Sequence, residues 1–188
     1  MHDVNIEQFS KDNTLLVERT VVGYGQQDGA VQVTFKNLLP TSARQLVYLE
    51  SLPWFMRPYY HTLQTRVRGN SSQSQSDSRQ GIQDMYYRPA VDRVRGSHLE
   101  ALLEIPPAST LTLSYDFEKA ILRYTEYPPD ANRGFDVASA IVKVLPGDGL
   151  GGHEQAEAYM RTTTLLLYLP TPDFSMPYNV VSLLSIRS

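Results

Sequence analysis

The chain has 188 residues, a formal net charge of -3 from 17 Lys and Arg against 20 Asp and Glu, 41% hydrophobic residues and no cysteine. That length suits one domain burying roughly 70% of its unfolded surface without covalent staples. The charge balance gives no electrostatic ground for a nucleic-acid partner, and the missing thiols exclude a disulfide, a thiolate metal site and a cysteine nucleophile from this chain.

In chain order, MHDVNIEQFSKDN has neither a basic start nor an apolar run, so no secretory signal is expected there, and positions 1–13 are expected to be a disordered tail. Strands are expected at Leu15 to Tyr24, Ala30 to Phe35, Gln45 to Leu52, Tyr60 to Arg68, Leu99 to Ile105 and Thr110 to Phe117. The alternation is clearest in Val31, Val33 and Phe35 against Gln32 and Thr34, and in Leu111, Leu113, Tyr115 and Phe117 against Thr112, Ser114 and Asp116. Thr162 to Leu169, apolar on both faces, is expected to be a central strand. Turn signals fall at QQDGA (26–30), LPTSA (39–43) and IPPAS (105–109). Two short helices are expected at Phe117 to Tyr124 and His153 to Arg161. Together these elements predict an all-β fold: an antiparallel β-sandwich over residues 14–170, with long loops and at most short helices.

GNSSQSQSDSRQG, Gly69 to Gly81, is too polar to bury and reads as a mobile Ser-rich loop. It carries Asn70-Ser71-Ser72, an N-glycosylation sequon if the chain reaches the endoplasmic reticulum. The basic run from Arg88 to Arg95, interrupted by Asp92, reads as a solvated face. No stretch approaches the about 18 apolar residues of a membrane span. Pro170, Pro172 and Pro177 exclude both helix and central strand, so 171–188 reads as a rigid extended arm.

Catalytic patterns are weak. GDGLGG (147–152) matches a dinucleotide fingerprint, with Asp173 about twenty residues on, but Pro146 and an antiparallel setting favour a plain loop. His2, His61, His98 and His153 show no metal-binding spacing, so no metal or cofactor is expected. A hydrolase remains an alternative, using His61 or His98 with Ser51 or Ser97 and an acidic group such as Asp173, although no G-x-S-x-G elbow presents a serine. Asp116 and Glu118 share a strand face and read as a solvated edge. Aromatics set among prolines carry more: Trp54, Phe55, Tyr59 and Tyr60 in SLPWFMRPYYHTL, and Tyr124, Tyr127 and Phe135 in RYTEYPPDANRGFDV. Rings on stiff backbone present a surface at low entropic cost. Trp54, Tyr59, Tyr127 and Phe135 are therefore candidate interaction residues, for a protein partner or, as an alternative, a carbohydrate.

LPWFMRPYYHTL, the stretch from YRPAVDRVRG through TEYPPDANRGFDV, and YLPTPDFSMPYNVVSLLS closely resemble the C-terminal part of the luminal region of the PIG-T family, a GPI transamidase component. The resemblance runs from about Leu15 to Leu184. It implies a non-catalytic subunit in the endoplasmic reticulum membrane, on the luminal side, supporting assembly and substrate access when GPI anchors are attached to proteins. Implied partners are the catalytic PIG-K-like subunit, which holds the cysteine-protease chemistry, and GAA-like, PIG-S-like and PIG-U-like subunits. Asp173 and Phe174, in the LPTPDFSMPYN block, join the candidate interaction residues. In the family the Pro-rich arm leads into a membrane helix, of which Asn179 to Ile186 here supplies only the first turns. The family's N-terminal half, with its bridging cysteine, is also expected to be missing, which reads as a truncated product or an incomplete gene model with its fold retained.

Overall fold

In a computed structural model the described residues are 14–23, 27–69, 79–127, 134–146 and 158–169. Among the described residues eleven strands carry the fold: β1 (Leu15–Val22), β2 (Asp28–Asn37), β3 (Arg44–Leu52), β4 (Met56–Arg68), β5 (Ile82–Arg88), β6 (Ser97–Ile105), β7 (Thr110–Lys119), β8 (Phe135–Val137), β9 (Ile141–Val144), β10 (Ala158–Arg161) and β11 (Leu165–Leu167). One sheet runs β1-β2-β7-β4 and another β10-β9-β3-β6-β5, while β11 and β8 form a two-stranded ribbon. Every pairing is antiparallel. The expected β-sandwich is what the chain forms.

Period-two patterning explains the layers. Val31, Val33 and Phe35 of β2 and Leu111, Leu113, Tyr115 and Phe117 of β7 turn inward from the first sheet. Leu46, Tyr48 and Leu52 of β3 and Leu99, Ala101, Leu103 and Ile105 of β6 turn inward from the second, and all of these side chains are buried. Across the interface Phe35 meets Tyr48 edge-on, ring centroids 5.6 Å apart. A corner at one end is fixed by buried Asn37, whose Nδ2 donates to the carbonyls of Ser42, Ile105 and Pro106 and whose Oδ1 accepts from the Leu39 amide. Both predicted turns at 39–43 and 105–109 are thus tied to one side chain.

The strand expectations need four corrections. β4 starts at Met56 and not Tyr60, because a bulge between Tyr59 and Gln64 breaks its alternation against β7. Thr62 repairs that break: its hydroxyl donates to the Tyr59 carbonyl and accepts from the Asp116 amide. Residues 162–169 do not form a central strand; only Leu165–Leu167 is extended, and it pairs with β8 alone. Neither expected helix forms among the described residues, since 117–119 continues β7, Tyr124–Glu126 is a single 3-10 turn, and Ala158–Arg161 pairs with β9. β5 was not expected at all. It is an edge strand with its own bulge, so its side chains are largely exposed and lack alternation. The tail at 1–13, most of the Ser-rich loop including Asn70, the GDGLGG segment and the arm at 171–188 lie outside the described residues.

Burial holds three core phenols neutral. Burial, reinforced by the nearby Glu50 charge, pushes the Tyr48, Tyr60 and Tyr115 hydroxyls well above the usual tyrosine value. A folded pKa above the unfolded value near 10 gives stability that is complete below about pH 10 and is lost as pH rises further. In a phenolate absorbance titration Tyr48, Tyr60 and Tyr115 are expected to ionise only together with the loss of near-UV circular dichroism.

Candidate interaction site

The turn joining β3 to β4, closed by a hydrogen bond from the Met56 amide to the Pro53 carbonyl, places Trp54 and Phe55 at one end of the sandwich. Phe55 stands edge-on to Trp54, with centroids 5.9 Å apart, and 5.0 Å from the ring of Phe135 on β8. Its carbonyl also accepts the Ala120 amide, which draws the segment after β7 to the same end. Trp54, Phe55, Tyr127 and Phe135 are all half-buried against the core.

A second turn, at 91–95, closes over this cluster. Val91 and Arg95 form an isolated antiparallel bridge, and Arg93 sits in the left-handed region at φ 60°. That conformation costs an L-residue about 1–2 kcal/mol. Three contacts offset it: the Arg93 guanidinium lies 4.8 Å over the Trp54 ring, its Nε is 2.6 Å from Glu126 Oε1, and Arg57 on β4 pairs with Asp92 at 2.6 Å. The Arg93 hydrogen bond, helped by the Arg123 amide, holds the Glu126 carboxyl below its ordinary value. The clamped turn leaves Val94 78% exposed and the neighbouring segment leaves Ile121 73% exposed. Sequence reading missed both. Their signal was an apolar residue inside a charged run (Val94) and one just past a strand end (Ile121).

Of the six residues expected to make interactions, Trp54 and Phe135 meet through Phe55, and Tyr127, half-buried against the core, follows in the chain directly after Glu126, the partner of Arg93. Tyr59 does not join them. Its ring contact is with His61, and its hydroxyl donates to Glu118 Oε2 at 2.7 Å, which raises its pKa. Asp173 and Phe174 lie outside the described residues. The carbohydrate alternative needs flat, uncovered rings, whereas one face of Trp54 is covered by Arg93 and its neighbour Phe55 is turned 80° away.

The hydrolase alternative fares unevenly. His61 is exposed beside Tyr59, Ser97 is buried, and Asp173 is outside the described residues. His98 does gather partners: Ser51 Oγ lies 2.9 Å from Nδ1, and Glu100 Oε1 lies 2.8 Å from Nε2. With Nε2–H donating to Glu100, Nδ1 accepts the Ser51 proton, the order of a catalytic triad. The arrangement follows directly from register, since Ser51 and His98 are cross-strand partners and Glu100 is two residues along the same face. The Glu100 side chain is 44% exposed, so it is free to leave the imidazole for water. Hydrolysis of p-nitrophenyl acetate is therefore expected to proceed at the same rate with Ser51→Ala as with the unaltered chain. A tenfold loss on that substitution would instead establish a nucleophile. Among the described residues no group of three His, Asp or Glu side chains could hold a metal, and no helix is long and apolar enough to cross a membrane.

Fold and site together define an antiparallel β-sandwich with an aromatic, ion-pair-clamped end. The family described as Gpi16 subunit, GPI transamidase component, matches residues 2–186. The GPI transamidase component GPI16 of Saccharomyces cerevisiae is 43% identical over 169 residues, covering 90% of this chain and 26% of that protein. The PIG-T homolog of Schizosaccharomyces pombe is 37% identical over 179 residues, covering 95% of this chain and 31% of that protein. The chain belongs to the Gpi16 (PIG-T) family of GPI transamidase components, and it spans between a quarter and a third of these relatives. Among solved structures, the major pilin SpaD of Corynebacterium diphtheriae aligns with a TM-score of 0.49 at 11% identity, over 82% of this chain and 35% of the pilin.

Proposed function

We propose that the chain acts as a non-catalytic part of the GPI transamidase, a luminal β-sandwich at residues 14–170 that supports assembly of the complex and access of its substrates. The observation that carries this reading is the family match over residues 2–186, joined by relatives that are themselves named transamidase components. On this reading the chain works at the luminal side of the endoplasmic reticulum membrane. Its partners are the catalytic PIG-K-like subunit and the GAA-like, PIG-S-like and PIG-U-like subunits. The contact surface is the Trp54 end of the sandwich, where exposed Val94 and Ile121 flank half-buried rings and paired charges. Tyr59, Asp173 and Phe174 are proposed to contribute beyond it, and Asn70 to carry an N-glycan that a glycosidase mobility shift would reveal.

The test is to express the tagged chain behind a signal sequence and recover it in mild detergent, probing for the catalytic subunit. The unaltered chain is expected to bring that subunit down. Val94→Asp with Ile121→Asp, both at exposed positions that leave the core alone, is expected to release it. A folded chain that recovers no transamidase component overturns the proposal.

A further inference from the structure

The two outer faces of the sandwich differ in kind. On the β1-β2-β7-β4 sheet the outward positions are those of a solvated antiparallel sheet, among them Gln32, Thr34, Thr112, Ser114, Gln64 and Arg66. On the β10-β9-β3-β6-β5 sheet the centre is apolar. Val47 and Leu49 of β3, Leu102 of β6 and Ile141 of β9 stand side by side there, Val47 opposite Leu102 and Leu49 opposite Ile141. Their chain neighbours Leu46, Tyr48, Ala101 and Val142 are fully buried in the core, so strand alternation commits these four to the other face. Tyr86 and Tyr159 extend the patch on the flanking strands and are 57% and 45% exposed.

Charge frames this patch asymmetrically. Two rows cross the sheet from β10 to β5: one reads Tyr159, Lys143, Val47, Leu102, Asp84, and the next Arg161, Ile141, Leu49, Glu100, Tyr86. Cations therefore stand on the β10–β9 flank and carboxylates on the β6–β5 flank, with aliphatic side chains between them. Such a face is complementary to itself. A two-fold axis lying along the strands, between β3 and β6, sets Val47 on Leu102 of the second copy, Ile141 on its Tyr86 and Lys143 on its Asp84, and makes each contact twice. Lys143 Nζ lies 5.7 Å from the Tyr159 ring centroid, which lays its stem along the face. Glu100 comes opposite Leu49 but keeps its bond to His98 in its own copy, so no carboxylate is stranded there. A partner of one charge sign would match only one flank. At ordinary strand spacing and rise the five strands offer about 500 Å² per copy, the scale of a weak, reversible interface.

We infer that the outer face of the five-stranded sheet is a self-association surface, through which two copies of this chain pack face to face about that axis. The inference goes beyond the transamidase reading and does not rest on it, since this face is separate from the Trp54 end and the test uses the chain alone. In sedimentation equilibrium the 188-residue chain is expected to rise from an apparent mass of 21.3 kDa towards twice that value as it is concentrated through the micromolar range. Val47→Lys is expected to weaken association at least about tenfold, because it sets a charge at the centre of the buried patch. Lys143→Glu and Asp84→Lys, on opposite flanks, are each expected to weaken it about threefold to tenfold. Combined in one chain they are expected to restore it, because opposite charges again face each other across the axis. Val94→Asp with Ile121→Asp is expected to leave the dimer unchanged. A chain that stays at 21.3 kDa up to about 1 mM overturns the inference. So does a dimer that survives Val47→Lys, that the combined charge exchange fails to restore, or that Val94→Asp with Ile121→Asp dissolves. If near-UV circular dichroism shows Val47→Lys unfolded, the flank variants decide.

Discussion

Glu50→Leu is expected to destabilise the protein by about 3–5 kcal/mol, read as a lower urea midpoint with an unchanged slope. Glu50 lies on the inner face of β3 and Arg19 on the inner face of β1, their side chains fully buried and paired at 2.6 Å. Tyr115 donates to the second Glu50 oxygen at 2.5 Å, and Arg19 spends another donor on the Ala138 carbonyl. Removing the carboxylate alone leaves a guanidinium in the core with too few acceptors and a buried phenol without its partner. Replacing both charges, Arg19→Met with Glu50→Leu, removes the desolvation cost together with the attraction. That double variant is expected to recover most of the loss. If it proves as unstable as the single one, the pair is net stabilising beyond its packing value and the electrostatic account fails.

Phe35→Ala is expected to cost a further large amount, about 3–5 kcal/mol, because the ring is buried between the sheets and no neighbour can fill the space it leaves. It also removes the edge-on contact with Tyr48, worth about 0.5–1.5 kcal/mol beyond area. Trp54→Ala is expected to cost only about 1–2 kcal/mol, since Trp54 is half-buried and rests on the core's rim. Thermal melts of the two variants check this. A Trp54→Ala loss as large as that of Phe35→Ala would mean the Trp54 end holds the fold together and is not a surface free for partners.

Strands with clean alternation were legible, and their inner residues were the core: Val31, Val33 and Phe35, and Leu111 through Phe117, needed no tertiary information. Edge elements were not. β5 is exposed on both faces and bulged, and β8 to β11 span three or four residues each, too few for a period to register. The expected central strand at 162–169 failed because the apolar run LLLYL at 165–169 says nothing about how many neighbours it will find, and Leu166 ends up exposed. The buried ion pair had a signal that went unread: Arg19 and Glu50 fall in phase with Leu15 and with Leu46 and Tyr48, opposite charges on facing inner positions. At the site, the aromatic–proline blocks drew attention to Trp54 and Phe135, and the fold brings both rings against Phe55. The cover that Arg93 provides depends on a left-handed turn and on two ion pairs, to Arg57 on β4 and to Glu126 in the 3-10 turn, which only the fold brings together.

On the proposed function, this sandwich serves as the corresponding part of a Gpi16-family subunit. Exchanging the matching segment of the Saccharomyces cerevisiae component for residues 14–169 of this chain, then measuring GPI attachment to a reporter protein, tests it most directly. The account predicts that the exchanged subunit assembles and sustains attachment, and that adding Val94→Asp with Ile121→Asp lowers both. An exchanged subunit that folds and is present in normal amount yet neither assembles nor sustains attachment would contradict it.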